Sequence, residues 1–297
     1  MAVLSRLPNP PGLTDGGCPR GRTVNTMNPW PIPAALIVMG TLAPAADDAV
    51  ARFRDLIVRH EPVYFLVDPG IGAEPVTAQF QISVAFALVA KPDATPQPGH
   101  GRVDGFYVAY SQTSFWDLES ESKPFLDSSY RPEAFWHARL PGGLLGAESA
   151  SLEPGFQHES NGKAGDDSRS LNSFFLRSPW TWLMGSALVL DAEPRILAYV
   201  GDLSDNPDID RYRGHGEFIM RFGERDGWMA RSRLRIGDEW DRGGLELALS
   251  HPLDTWTHGW AGGYLYMQTF VGWSESLATY DQEVEQPRIL LGWAMTR

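Results

Sequence analysis

The chain has 297 residues, 43% hydrophobic and 21% charged, with a formal net charge of -12 and a pI near 5.0. That much apolar side chain excludes a disordered protein, and the acidic balance argues against broad nucleic-acid binding, which needs a basic footprint to neutralise phosphates. The single cysteine, Cys18, lies in the leading segment, so the chain beyond it forms no intramolecular disulfide.

Residues 1–45 read as a leader. Within it "MNPWPIPAALIVMGTLAPAA", Met27 to Ala46, joins a short apolar run to the small-x-small pattern Ala43-Pro44-Ala45. This is the pattern of a secretory signal peptide, Met27 to Ala45, with a mature start near Ala46. No Lys or Arg lies between Met27 and Leu36, so a Pro/Gly-rich tail with a chance apolar run is the alternative. Residues 46–297 show no repeat and no long linker and are expected to form one domain. They open with "DDAVARFRDLIVRH", 47–60, which suits a short amphipathic helix before the first strand. No later run of about 18 apolar residues exists, which excludes a transmembrane helix but not a membrane.

From residue 79 the hydrophobic period is two. In "QFQISVAFAL" Phe80, Ile82, Val84, Phe86 and Leu88 share one face, opposite Gln79, Gln81, Ser83, Ala85 and Ala87. That alternation predicts a strand. "KPDATPQPGHGR", 91–102, then reads as a Pro/Gly turn. Alternation returns in 215–223 and in 229–236, where Arg231, Arg233 and Arg235 line one face. It continues in "LELALS", with Leu245, Leu247 and Leu249 opposite Glu246, and in "RILLGWAM", with Ile289, Leu291, Trp293 and Met295 on one side.

A soluble sandwich points its apolar face inward and a transmembrane barrel points it outward, so alternation alone cannot choose between them. Strand length, aromatics and the secretory signal favour the barrel. About twelve candidate strands of ~8 to 14 residues match membrane-spanning lengths better than soluble ones. Phe115–Trp116, Trp180, Trp182, Trp256, Trp260 and Trp273 sit near strand ends, as interfacial girdles do. The expected fold is an all-β, twelve-stranded antiparallel transmembrane β-barrel. Its apolar residues Phe80, Ile82, Val84, Leu245, Leu247, Ile289 and Leu291 should face lipid, and its arginine row should face the lumen.

One stretch, "GFQHESNGKAGDDSRSLNSFF", 155–175, interrupts this apolar pattern with a polar set. In a strand Phe156, His158 and Ser160 share a face. The Asn161-Gly162 turn then reverses the chain and can return Asn172 beside His158. A serine hydroxyl is a weak nucleophile until an imidazole takes its proton, and the imidazole works when an acceptor holds its other nitrogen. A short H-x-S pair also occurs often as ordinary interfacial polar residues, so the motif alone leaves both readings open.

The runs "YSQTSFWDLESESKPFLDSSYRPEAFW", Tyr110 to Trp136, "HESNGKAGDDSRSLN", His158 to Asn172, and "VGDLSDNPDIDRY", Val200 to Tyr212, resemble outer membrane phospholipase A. The resemblance runs in the same order from about residue 60 to the C-terminus. It implies a nucleophile at Ser160, a base at His158 and an orienting amide at Asn172, facing lipid. It implies a calcium ion held by the Ser168 hydroxyl and the Lys163 carbonyl, with Ser122 donated by the partner subunit of a homodimer, and Gln112 at the dimer interface. Phospholipids and lysophospholipids would be the substrates and the Gram-negative outer membrane the location. A non-catalytic pore or structural barrel is the rival.

Other polar clusters carry blander readings. "DLSDNPDID", Asp202 to Asp210, lacks the glycine and distal glutamate of an EF-hand and reads as a solvated turn. Asp166–Asp167 reads as solvated acid that is able to draw calcium toward Ser168. His60, His100, His137, His215, His251 and His258 have no nucleophile at comparable spacing and read as structural. The chain ends "WAMTR", without the aromatic residue on which such barrels usually finish.

Overall fold

The computed structural model of the chain describes residues 56–70, 76–90, 96, 101–238 and 241–297. The expected leader and signal peptide, Cys18, His100 and the segment 47–55 lie outside the described residues. Chain order gives β1 (Ile57–Val58 and Val63–Asp68), β2 (Thr77–Ala90), β3 (Gly105–Asp117), β4 (Phe125–Arg139), β5 (Ser149–Ser160) and β6 (Ser170–Arg177 and Trp180–Met184). It continues with β7 (Leu188–Val200), β8 (Gly216–Glu224), β9 (Met229–Ile236), β10 (Gly243–Pro252), β11 (Tyr264–Trp273) and β12 (Glu283–Thr296). Each strand pairs antiparallel with the next, and β12 closes on β1 from Leu291 opposite Val67 to Ala294 opposite Tyr64. The result is a closed twelve-stranded barrel. Closure leaves no edge, as a wall surrounded by hydrocarbon requires.

Two strands are built in two pieces. Both pieces of β1 pair with the same edge of β2, Ile57 and Val58 against Phe86 and Ala85, and Tyr64 to Asp68 against Gln81 to Thr77. The helix expected over 47–60 therefore does not reach Ile57, whose backbone is claimed by the ladder. The interruption between the pieces turns His60 and Glu61 into the lumen, His60 Nε2 lying 3.4 Å from Glu133 and Glu61 pairing with Arg131 at 2.7 Å and Arg233 at 3.0 Å. In β6 the break falls at Ser178–Pro179, where proline has no N–H to give. The Pro179 carbonyl still accepts from Ser151 N–H at 3.0 Å, which keeps the wall continuous.

The faces divide as the alternation requires. Ile82 is 52% and Ile289 54% exposed, whereas Arg231 and Arg233 are each 8% exposed. Leu247 and Leu291 are exposed, and Phe80, Val84 and Leu245 are half-buried on the same outer wall. Phe115 is an exception to the expected girdle: it lines the lumen beside Gln79 and Thr113, while its neighbour Trp116 stacks on Phe125 outside. At the other end of the barrel Trp180 stacks on Trp182, and Trp256, in the short helix Asp254–Thr257, and Trp260 just after it are exposed.

The lumen is filled rather than open. Arg177 bridges Glu133, at 3.1 Å, and Glu153; Arg235 reaches Glu217 at 3.0 Å; Arg231 pairs with Glu246. Arg102, expected in the 91–102 turn, is instead 2% exposed and bound to Glu153 at 3.0 Å. Each of these ions, removed alone, would strand a buried partner at a cost of several kcal/mol. The recess at the site end of the lumen amounts to about 50 Å³.

Candidate active site

The polar set of 155–175 sits where β5 and β6 meet in register. His158 lies directly opposite Asn172, and Ser160 opposite Ser170. Gln157 and Glu159 point into the lumen and are buried, so Phe156, His158 and Ser160 take the outer wall. Below His158 the rings of Phe156 and Phe174 meet edge to face at 5.4 Å, which continues the apolar wall up to the polar set. His158 Nδ1 is 2.8 Å from Asn172 Oδ1. An amide oxygen only accepts, so Nδ1 carries the proton and donates it, leaving a lone pair on Nε2. Ser160 follows on the same face about 6.6 Å along the strand. Among the described residues its hydroxyl makes no side-chain hydrogen bond, so His158 and Asn172 are joined and Ser160 stands beside them unengaged.

The hairpin that imposes this register is shaped by Asn161, which is 4% exposed. Its Oδ1 accepts from the N–H groups of Lys163, at 3.2 Å, and Arg169, at 3.0 Å, while its Nδ2 donates to the Asp167 carbonyl at 2.9 Å. Gly162 has φ 69°, and a Cβ there would stand 3.0 Å from the ring of Tyr130. Tyr130 is the β4 residue opposite Ser160, so its ring flanks the serine on the outer wall. On the other side Gly201, at φ 84°, lies close enough that a Cβ would be 3.7 Å from Asn172 Nδ2. The amide is thus confined between β5 and the end of β7.

The residues expected to hold calcium cluster only in part. Ser168 Oγ donates to Asp205 Oδ2 at 2.9 Å. The Lys163 carbonyl accepts no hydrogen bond among the described residues, while its ammonium donates to the Leu126 carbonyl at 3.0 Å. Ser122 is exposed in the turn between β3 and β4. Asp166 and Asp167 are exposed in a 3-10 turn, Gly165–Asp167. Gln112 lies on the outer wall, opposite Tyr130, and accepts from Tyr110 OH at 2.9 Å. No group of three or more His, Cys, Asp and Glu side chains able to hold a metal occurs among the described residues. Hydroxyl, carbonyl and carboxylate oxygens are nevertheless the donors a hard cation takes, and Ser168, the free Lys163 carbonyl and Asp205 fit calcium in kind.

The 202–210 segment is not a solvated turn throughout. Asp202 is exposed, and the Ser204 N–H at 2.9 Å holds its carboxyl below the usual carboxylate range. Asp205, however, reaches Ser168, and Asn206 is fully buried with its Oδ1 accepting from Ser170 N–H at 3.1 Å. Ile209 and Leu171 pack with Leu277 and Tyr280 into a small core over the mouth of the barrel. Sequence reasoning missed Asp205, Asn206 and Asn161 as site-shaping residues. Their one visible signal was a dense run of Asx residues beside a strand end, a pattern shared with ordinary turns.

A closed barrel with an apolar outer wall and a lumen of paired ions defines an outer-membrane type of membrane protein. The sequence matches the phospholipase A1 family over residues 61–294, and the chain belongs to that family. It is 28% identical over 222 residues to phospholipase A1 of Escherichia coli, covering 72% of this chain and 68% of that one. It is 30% identical over 185 residues to the putative phospholipase A1 of Neisseria meningitidis serogroup B, covering 60% and 46%. Outer membrane phospholipase A from Escherichia coli superposes with a TM-score of 0.60 at 25% identity, covering 79% of this chain and 89% of that one. The calcium-bound dimer of the Salmonella typhi outer membrane phospholipase shares the fold, with a TM-score of 0.61 at 23% identity over 79% and 90% of the two chains.

Proposed function

We propose that the chain is a calcium-dependent phospholipase of the Gram-negative outer membrane, with A1, A2 and lysophospholipase activity, working as a homodimer. The observation that carries the reading is the 2.8 Å contact between His158 Nδ1 and Asn172 Oδ1 on the lipid-facing wall, beside Ser160. Family membership sets the reaction class.

In this reading His158 Nε2 takes the Ser160 proton as Oγ attacks the acyl carbonyl carbon. The imidazolium so formed donates to Asn172 more strongly than neutral imidazole does. It then protonates the departing glycerol oxygen, which leaves an acyl ester on Ser160 and a freed lysophospholipid, or a glycerophosphodiester when the substrate is a lysophospholipid. Water, deprotonated by the same Nε2, hydrolyses the acyl ester and restores the serine. The Ser160 backbone N–H would donate to the developing oxyanion. Ser168 Oγ and the Lys163 carbonyl would hold calcium, with Ser122 of a second subunit completing the set; when bound, the ion supplies positive charge at the oxyanion. A second barrel also gives the acyl chain the other wall of a groove.

Purified chain in detergent, assayed for ester hydrolysis with and without calcium and against Ser160→Ala, tests nucleophile, metal and reaction class together. Calcium-dependent release of fatty acid that disappears in Ser160→Ala is expected. Wild-type turnover in Ser160→Ala would overturn the assignment.

A further inference from the structure

We infer that the buried ion pair Glu159–Arg213 is a positioning device that holds the 201–215 loop against the catalytic hairpin and so sets calcium affinity. The inference rests on the reading of Ser168 as a metal ligand given above. Glu159 lies between His158 and Ser160 and, by the strand's alternation, points the other way, into the lumen, at 4% exposure. Arg213 closes the helical turn Ile209–Arg213 at the end of the loop and is 5% exposed. Its Nη1 is 2.6 Å from Glu159 Oε2 and its Nη2 3.4 Å from Oε1, a two-pronged contact, and Ser129 Oγ donates to Oε1 at 2.7 Å. Arg213 Nε also donates to Ser274 Oγ at 3.2 Å, at the root of the loop that carries Leu277.

One strand residue therefore grips the loop from inside the barrel, while the loop's other contacts lie outside. Asp205 accepts from Ser168, the buried Asn206 accepts from the Ser170 N–H, Ile209 packs on Leu171, Leu277 and Tyr280, and Asp208 accepts from Tyr280 OH. A single neutral hydrogen bond contributes little net stabilisation, whereas parting a buried ion pair leaves an uncompensated charge. The inner grip thus fixes the far end of the loop at Arg213, and losing it lets Asp205 shift relative to Ser168. Glu159 and Arg213 touch neither the expected substrate nor the reacting atoms; they act through the loop. No feature of the active-site motif alone requires an acid between the histidine and the serine, since the position faces away from the chemistry.

The test uses full-length chain in detergent in a Ser160→Ala background, so that calcium binding is read by calorimetry without turnover. Arg213→Ala is expected to weaken calcium binding about tenfold or more, the usual scale for residues that orient metal ligands. The exchange Glu159→Arg with Arg213→Glu should recover most of that loss. Glu153→Gln, which disturbs another buried ion pair of the same strand away from the loop, should leave binding unchanged. Should Arg213→Ala fail to give a heat-modifiable barrel, Arg213→Lys keeps the charge but not the two-pronged contact, and a loss of about threefold or more is expected. Unchanged affinity in an intact barrel, or an equal loss in Glu153→Gln, would overturn the inference alone. A Ser160→Ala chain that binds no calcium, or binds it unchanged after Ser168→Ala, would overturn the reading of the metal site as well.

Discussion

Asn172→Ala removes the acceptor that holds the His158 ring and leaves the rest of the wall intact. In the resting site the 2.8 Å contact joins a neutral imidazole to an amide, a bond of about 1 kcal/mol net. In the transition state the ring is charged, and a bond to a charged group contributes about 1.5 to 3 kcal/mol. The difference, roughly 0.5 to 2 kcal/mol, is lost from the transition state alone. Freeing the ring to turn away from Ser160 adds about 1 kcal/mol, the scale for one immobilised side chain. At 1.36 kcal/mol for each factor of ten, kcat should fall about 10- to 100-fold. Initial rates on a short-chain ester, at saturating substrate and calcium, measure this directly. Asn172→Asp keeps an acceptor oxygen and should recover most of the loss. A loss as large as that of Ser160→Ala, or no loss at all, would refute the assignment of Asn172 as an orienting group.

Ser160→Ala and His158→Ala should each remove nearly all esterase activity without altering heat-modifiable migration, because members of such a set act as a unit. Val84→Arg, placing a charge on the outer wall, should cost about 2 to 4 kcal/mol near the midplane in a folding titration into bilayers; an unchanged midpoint would mean that Val84 does not meet lipid. Chelation of calcium should abolish turnover and weaken the dimer together, as linkage requires, and cross-linking yield with and without chelator checks it. Mixing Ser122→Ala with Ser160→Ala subunits should partly restore activity, since one site of the mixed dimer keeps both an intact nucleophile and an intact donated ligand. No recovery in proven mixed dimers would count against a shared ligand.

The wall was legible because its rule is local: alternation in 79–88, 229–236 and 245–250 fixes which side each residue takes. Where alternation fails, so did the reading. The break in β1 throws His60 and Glu61 inward, and nothing in "IVRHEPV" marks the two-piece pairing with β2. Arg102 follows a Pro/Gly-rich run, yet it enters the lumen because Glu153, 51 residues later, needs a partner. The pairing of His158 with Asn172 could be expected from a hairpin turn at Asn161-Gly162. Contacts between separate loops could not, since Asp205 with Ser168 and Arg213 with Glu159 depend on how three hairpins pack at the mouth.

His158 and Ser160 open sideways, onto the wall, and not into a cavity. For a catalyst built this way the surrounding solvent is itself the substrate, present at mole fractions near one in a two-dimensional fluid. Scarcity of substrate can then exert no control, and neither can a narrow entrance. Restraint has to come from keeping the catalyst incomplete. If, as proposed, the last ligand and second groove wall arrive with another barrel, the site meets that condition, because the collision rate of two proteins in the plane, set by their areal density, becomes the throttle on lipid turnover.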